Sequence, residues 1–219
     1  MMDELSVIQR IAVWILPVIF AITVHEVAHG WVAKKYGDNT ASRLGRLTLN
    51  PVKHVDLFGT IILPGLLLMT GTGFIFGWAK PVPVDARNFK RPLKDMAVVA
   101  LAGPVSNLIM AFMWALIIRL GIFIGTNAEA VSLPLIYTGV AGVSINLVLA
   151  MINLLPIPPL DGSRILTGIL PNYWAWQYNR LERYGFIILL VLLYTKVLNV
   201  ILEYPLFIAQ KIFFSIAGM

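Results

Sequence analysis

Four apolar stretches, each long enough to cross a lipid bilayer as a helix, constrain the fold of this chain more than any other feature. The hydrocarbon core of a bilayer is about 30 Å thick, and a helix needs about 20 apolar residues to cross it. A fifth stretch, at about 203–217, is shorter and contains Pro205 and Lys211, so the sequence leaves open whether it spans. The four longer stretches lie at about 8–33, 95–119, 133–155 and 184–202.

The composition excludes a water-soluble domain. Of the 219 residues, 58% are hydrophobic and 13% are charged, whereas soluble domains are about half apolar and about a quarter charged. We therefore predict an all-α polytopic membrane protein, with residues 1–219 forming a single membrane domain in contact with the lipid bilayer. The net charge is +6. We interpret it as basic residues that flank the helices and orient them in the bilayer, so we expect no nucleic-acid partner. Because the chain has no cysteine, His, Asp and Glu are its available strong metal ligands.

The distribution of basic residues predicts the topology. Ten of the 17 lysines and arginines fall within 34–94, on both sides of a stretch at 57–78 that is apolar but broken by glycine and proline. A full crossing at 57–78 would put these basic flanks on opposite faces, against the positive-inside tendency. We therefore predict a re-entrant loop there, with both flanks cytoplasmic. The alternating residues at 78–89 predict an edge strand or an extended loop.

Within the first apolar stretch, the sequence HEVAH at 25–29 matches the pattern H-E-x-x-H. On a helix, positions i and i+4 share a face, so His25 and His29 can reach the same metal ion. Glu26 is placed to act as a general base toward a water at that metal. Ionisable groups are costly at membrane depth and are usually functional there, which favours a metal site over a purely structural role.

A catalytic zinc ion needs a third protein ligand and keeps a fourth position for water. His54 is the remaining histidine, and Asp161 lies in a break rich in proline and glycine after the third span. With a re-entrant loop at 57–78, the first and third spans run parallel, and Asp161 lies beside the H-E-x-x-H turn. A full crossing at 57–78 would instead put Asp161 on the opposite face.

Three motifs follow one another along the chain: HEVAH at 25–29, ALAGPVSN at 100–107 and NLLPIPPLDG at 153–162. In this order they resemble the core signatures of the site-2 protease family, peptidase family M50. Two further segments, NPVKHVDLFGT at 50–60 and GWAKPVPVDARNF at 77–89, resemble the short prokaryotic branch of that family, which has no PDZ domain. The resemblance covers about residues 10–170.

The resemblance implies an intramembrane zinc endopeptidase that cleaves the transmembrane segments of other proteins. It implies one Zn²⁺ held by His25, His29 and Asp161, with Glu26 as the catalytic base. It further implies a catalytic core of three helices, within about 8–170. The apolar stretches that follow predict one or two further helices at about 184–217. The expected location is a prokaryotic cell membrane, with the active site toward the cytoplasm.

Three other polar residues are candidates for supporting roles. The side-chain amide of Asn153 is a candidate hydrogen-bond donor to the oxyanion of the reaction, with a helix cap as the alternative. His54 is a candidate for an active-site role, for an alternative zinc ligand or for a structural role near the cavity mouth. Asn107 shares a helix face with Ala100 and Gly103, which predicts close helix packing and an interhelical hydrogen bond.

Two other classes of protein are consistent with ionisable residues in a membrane helix. One is a zinc- or proton-coupled transporter, but the chain shows no internal repeat of the kind found in many transporters. The other is a catalytically inactive relative that keeps the motif. Replacing Glu26 distinguishes these classes, because a transporter would keep its flux whereas a protease would lose cleavage.

The glycine-rich and then strand-like 70–90 segment predicts that an extended substrate pairs with it by strand addition. Its candidate substrate contacts are Phe74, Phe76, Gly77 and Trp78. Charged or proline substitutions at 74–78 are expected to impair cleavage without removing zinc. Cleavage of a membrane substrate and zinc content, both measured on the same preparation, test this; unchanged processing would contradict strand addition here.

Overall fold

The computed structural model describes residues 5–62 and 79–219, and within these residues the chain forms helices and no strand. Single turns of 3-10 helix occur at Pro51–Lys53, Ala86–Asn88 and Gly125–Ala128, and a π-helical turn occurs at Leu57–Ile62. The α-helices are α1 (Val7–Lys35), α2 (Thr40–Arg43), α3 (Pro92–Ile124), α4 (Glu129–Leu154), α5 (Asp161–Ile169), α6 (Asn172–Asn179), α7 (Glu182–Tyr194) and α8 (Val197–Ala217).

Four of these helices, α1, α3, α4 and α8, are long and apolar enough to cross a membrane. Their mean hydropathies are 2.1, 2.1, 2.0 and 1.5. The chain is thus an all-α polytopic membrane protein, which confirms the predicted fold class. The predicted spans at 8–33, 95–119 and 133–155 correspond to α1, α3 and α4.

The predicted span at 184–202 is wrong, because two helices share this stretch. Helix α7 ends at Tyr194 after 13 residues, and Lys196 adopts a left-handed conformation with φ of 60° before α8 begins. The Thr195 hydroxyl donates to the carbonyl of Val191 in its own helix (2.8 Å). The 21-residue α8 therefore provides the apolar helix of spanning length in this region, and it includes the 203–217 stretch that the sequence left open.

The first helix has well-defined ends. At its start, the Ser6 hydroxyl accepts a hydrogen bond from the Gln9 amide, and the Gln9 side chain accepts one from the Ser6 amide. This reciprocal pair is a capping box, which satisfies amides that the first turn leaves without helical partners. At the other end, Gly37 has a φ of 107° and turns the chain away from the helix axis.

Helices α1, α3 and α4 form an antiparallel core. Val99 of α3 lies at His29 of α1, and Asn107, two turns further along α3, lies at His25. Asn107 also contacts Asn146 of α4, whereas Gly121 at the far end of α3 packs against the start of α4. Each pairing runs in opposite directions along the two helices concerned.

The antiparallel packing fixes where the segment before α3 begins and ends. Because α3 runs back along α1, the chain leaves α1 and enters α3 on the same side of the bundle. A single crossing between them is incompatible with this arrangement, whereas the predicted re-entrant loop is compatible with it. Residues 63–78 of that predicted loop lie outside the described residues, so its shape stays a prediction.

The predicted edge strand or extended loop at 78–89 is, from residue 79 onward, a loop without strand pairing, followed by the Ala86–Asn88 turn. The loop is fixed to the region after α1. The Lys80 amide donates to the His54 carbonyl (2.9 Å). The Arg46 guanidinium donates to the Lys80 and Pro81 carbonyls, at 2.9 and 3.2 Å. These bonds hold the start of the loop against the region that follows α1.

Asp38, a buried carboxylate just after α1, also connects this loop to the end of the helix. It accepts hydrogen bonds from the Asp85 amide (2.8 Å), from the Asn88 side chain (2.7 Å) and from the amide and hydroxyl of Thr40. Burial alone raises the pKa of Asp38, but these hydrogen bonds outweigh it and lower the pKa below the ordinary value of 3.8. The carboxylate form of Asp38 therefore holds the 85–88 turn against the end of α1.

Replacing Asp38 by Asn is expected to lower the free energy of unfolding at pH 7 by about 1–3 kcal/mol, because charge-assisted hydrogen bonds are lost. Since the folded-state pKa is depressed, this contribution is present above pH 3.8 and disappears as the pH falls through the folded-state pKa. Thermal unfolding in detergent, followed from pH 7 to pH 3, should show the difference between wild type and Asp38→Asn narrowing at low pH.

The matched control is Glu182→Gln, since the Glu182 side chain is 57% exposed and its ion pair with Arg164 lies at the surface, where such pairs contribute little to stability. It should change the unfolding temperature little at any pH. A difference between Asp38→Asn and wild type that stays constant with pH would contradict the role of the Asp38 charge.

Candidate metal centre

Three side-chain atoms from distant parts of the chain meet inside the helix bundle. The Nε2 atoms of His25 and His29 are 3.1 Å apart, and each lies 3.2 Å from Oδ2 of Asp161. His25 and His29 are only 8% and 9% exposed, and the Asp161 side chain is 16% exposed. The structure therefore brings together the three residues that the sequence nominates as zinc ligands.

The hydrogen bonds of the two imidazole rings show where their N–H groups point. His25 Nδ1 donates to Oδ1 of Asn107, and His29 Nδ1 donates to the backbone carbonyl of Val99 (2.8 Å). Since each neutral imidazole has a single N–H, both Nε2 atoms face Asp161 with lone pairs. Oδ2 of Asp161 is buried and has no hydrogen-bond partner among the described residues.

Three buried lone-pair atoms in mutual contact are unfavourable unless a cation or protons lie between them. Nitrogen and oxygen ligands at about 2.0–2.2 Å from a tetrahedral zinc ion lie about 3.3–3.6 Å from one another. The observed separations of 3.1–3.2 Å are close to that spacing. The donor set, its spacing and its unpartnered carboxylate oxygen thus fit a zinc ion.

Gly103 lets α3 come close enough to the imidazoles to support them. A Cβ atom at this position would lie 2.5 Å from Cε1 of both His25 and His29, and 2.5 Å from Nε2 of His29. Real Cβ atoms do not approach other atoms so closely, so a side chain at position 103 would displace a ring. Glycine at this position of the 100–107 motif therefore leaves the space that the two imidazoles occupy.

Asp161 reaches the histidines because α5 starts immediately beside the end of α4. A Cβ atom on Gly162 would lie 2.3 Å from the carbonyl oxygens of Leu154 and Leu155. Glycine at this position thus allows the chain to turn tightly after α4, and Asp161 becomes the first residue of α5. A carboxylate in the first turn of a helix is stabilised as an anion by the peptide dipoles.

The half-buried side chain of Glu26 is hydrogen-bonded to a residue outside α1. Its Oε2 accepts a hydrogen bond from the backbone amide of Val82 (2.7 Å). Val82 can approach because Gly30 leaves space on α1, where a Cβ atom would lie 2.7 Å from the Val82 side chain. The 80–85 segment therefore restrains the carboxylate that the motif nominates as the base.

The other predicted site residues lie apart from this cluster or outside the described residues. His54 is buried, and its Nε2 donates to the Thr48 carbonyl (2.9 Å) rather than joining the cluster. The Asn153 amide donates to the Leu149 carbonyl of its own helix (2.9 Å), so an oxyanion role requires this bond to be exchanged. The candidate substrate contacts outside the described residues are Phe74, Phe76, Gly77 and Trp78.

Sequence reasoning missed three contributors to the site: Asp38, Val82 and the contact between Asn107 and His25. The interhelical hydrogen bond predicted for Asn107 is confirmed, since its amide donates to Oδ1 of Asn146 (2.9 Å). The available signals were a polar amide within an apolar helix and an acidic residue just after α1. Neither signal specifies a partner that is distant in sequence.

A bundle of apolar helices enclosing two imidazoles and a carboxylate defines a membrane-embedded metalloprotein. The H-E-x-x-H helix narrows this class to metal-dependent hydrolases. Residues 13–195 match the model of peptidase family M50. The chain belongs to peptidase family M50 and is a zinc metalloprotease, which confirms the family that its motifs predict.

Curated relatives agree with this assignment. The chain is 43% identical to "Putative zinc metalloprotease YwhC" of Bacillus subtilis (strain 168), over 83% of this chain and 80% of that protein. It is 31% identical to "Putative zinc metalloprotease Rip2" of Mycolicibacterium smegmatis, over 90% of this chain and 73% of that protein. It is also 31% identical to "Putative zinc metalloprotease MJ0611" of Methanocaldococcus jannaschii, over 69% and 66% of the two chains. No solved structure gives a significant match.

Substituting Gly103 by Ala is expected to weaken zinc binding by about tenfold or more, because the new methyl group displaces one or both imidazoles. Zinc affinity, measured by competition with a chromogenic chelator in detergent, tests this. Ala100→Gly, which alters the same motif without adding atoms near the rings, is the control and should keep its zinc. Full zinc affinity in Gly103→Ala would show that the rings have room to move.

Proposed function

We propose that this chain is an intramembrane endopeptidase that cleaves the membrane-spanning segments of other membrane proteins. The observation that carries this proposal is the position of the cluster. His25 and His29 lie 10 and 6 residues before the end of α1, which is about 15 and 9 Å along a helix axis. The cluster is thus enclosed by spanning helices rather than carried on a domain outside them.

In this proposal, His25, His29 and Asp161 hold one zinc ion, which supplies Lewis-acid polarisation of a carbonyl and an acidified water. Glu26 accepts a proton from the water that attacks the peptide carbonyl, and it delivers that proton to the leaving amine as the C–N bond breaks. The Val82 amide restrains the Glu26 carboxylate through its hydrogen bond to Oε2. Asn153 is proposed as an oxyanion donor once its amide leaves the Leu149 carbonyl.

We further propose that the metal centre lies toward the cytoplasm of a prokaryotic cell. The end of α1, the start of α3 and the start of α5 share the side of the bundle nearer the cluster. That side carries the ten basic residues of 34–94 together with Arg164, Arg180 and Arg183, whereas the connection at 120–132 carries none. Loops rich in Lys and Arg remain cytoplasmic during membrane insertion.

The decisive experiment compares wild type with Glu26→Gln, reconstituted in vesicles with a panel of tagged single-span membrane proteins. Wild type should cut within a spanning segment, and mass spectrometry of the products should locate the cut. Glu26→Gln should bind zinc as wild type does and cleave at least about 100-fold more slowly, because it cannot accept the proton. A chelator should stop the wild-type reaction.

Glu203→Gln, an exposed acid in α8, is the control and should cleave at the wild-type rate. Cleavage by Glu26→Gln at the wild-type rate would contradict the role of Glu26 as base. Cuts found only outside spanning segments would contradict intramembrane cleavage while leaving the peptidase assignment intact.

A further inference from the structure

Two fully buried asparagine side chains lie next to the metal centre without contacting the metal-facing atoms. Asn107 of α3 and Asn146 of α4 are both 0% exposed. Buried amides in an apolar bundle are costly unless all their polar atoms are paired. Here their hydrogen bonds connect α1, α3 and α4, so their orientations can be worked out from fixed backbone partners.

The orientation of Asn107 is set by a backbone carbonyl. Its Nδ2 lies 3.3 Å from the Ala21 carbonyl oxygen, which can only accept a hydrogen bond. Nδ2 must therefore face Ala21, and Oδ1 must face His25 Nδ1. Because Oδ1 is an acceptor, His25 is required to carry its proton on Nδ1.

The orientation of Asn146 is set in the same way. Its Nδ2 donates to the Gly142 carbonyl (2.9 Å), one turn earlier in α4. This bond turns Oδ1 of Asn146 toward Asn107, where it accepts the second proton of the Asn107 amide (2.9 Å). Two carbonyls in different helices thus fix both amides, and the chain of bonds runs from Gly142 through Asn146 and Asn107 to His25.

From this geometry we infer that Asn107 is a positioning residue for His25 and that Asn146 keeps Asn107 in its working orientation. The relay fixes the His25 tautomer with Nδ1 protonated and leaves the Nε2 lone pair facing Asp161. It also ties α1 to α4, the helix whose end leads into Asp161, so it sets the spacing between two of the ligands. The inference rests on the proposed role of His25 as a zinc ligand.

Hydrogen-bond partners of this kind usually change metal affinity by about 10–100-fold when removed. An aliphatic residue in place of Asn107 leaves the His25 N–H without an acceptor in a buried site. The ring can then rotate or change tautomer, and either change removes the Nε2 lone pair from the cluster. Asp at the same position keeps an acceptor for His25 but loses the donor to Ala21 and Asn146.

The test compares zinc affinity with stability in Asn107→Leu and Asn107→Asp. Zinc affinity is measured with zinc alone, by competition with a chromogenic chelator in detergent, and stability is measured by thermal unfolding of the zinc-free protein. We expect Asn107→Leu to bind zinc about 10–100-fold more weakly and Asn107→Asp to remain within about threefold of wild type. Both variants should unfold at a lower temperature, since both lose the amide donor.

A purely structural role for Asn107 predicts instead that zinc affinity falls equally in the two variants or in neither, and either result would overturn the inference. Asn199→Leu in α8 is the control, because Asn199 is an exposed asparagine in a helix of spanning length; it should bind zinc like wild type. If Asn107→Leu does not fold, Asn146→Leu provides the test, since it leaves His25 and Asn107 intact. A zinc affinity below that of wild type in Asn146→Leu supports the relay, and unchanged affinity overturns it.

Zinc binding is measured here without any substrate, so the result does not depend on peptidase activity. A wild-type protein that binds zinc but cleaves nothing would contradict the proposed function and leave this inference standing. A wild-type protein that binds no zinc would overturn both the ligand set and the relay.

Discussion

The contact between Asp161 and the two imidazoles of α1 is the interaction on which the rest of the structure depends. Its members are separated by more than 130 residues along the chain, and it requires the end of α4 to lie beside the second half of α1. That requirement explains the antiparallel path of α3, the tight turn at Gly162 and the close approach at Gly103. Three buried lone-pair atoms this close would repel one another without a cation. The packing of the core therefore depends on a positive charge at this centre, which a bound metal ion supplies.

Helix α3 packs against this centre and holds both imidazoles in place. It provides a carbonyl to His29, an amide oxygen to His25, and a position without a side chain where the rings need space. Small residues elsewhere along α3 serve packing in the same way, since Ala111 and Ala115 are fully buried against α4 and α8. In a membrane, where apolar side chains gain little by leaving lipid, close packing and interhelical hydrogen bonds hold such bundles together.

The sequence predicted the parts of this structure that depend on local periodicity or on charge. The spacing of His25 and His29 follows from the helical repeat, and the basic flanks of 57–78 favoured the topology that brings Asp161 to them. The break at Lys196 was missed because hydropathy averaged over a window hides a single left-handed residue. The bonds of Asp38 and Val82 were missed because they join positions about 47 and 56 residues apart, and one sequence without homologues carries no pairing information at that range.

The hydrogen bond between Val82 and Glu26 links a surface loop to the interior. The same short loop is fastened at its other end to Asp38, just beyond the end of α1. Because the two anchoring bonds lie close together in the chain, the position of Val82 depends on the turn that Asp38 holds. A shift of this loop would move or break the hydrogen bond at Glu26, so the placement of the loop and the orientation of that half-buried carboxylate are coupled.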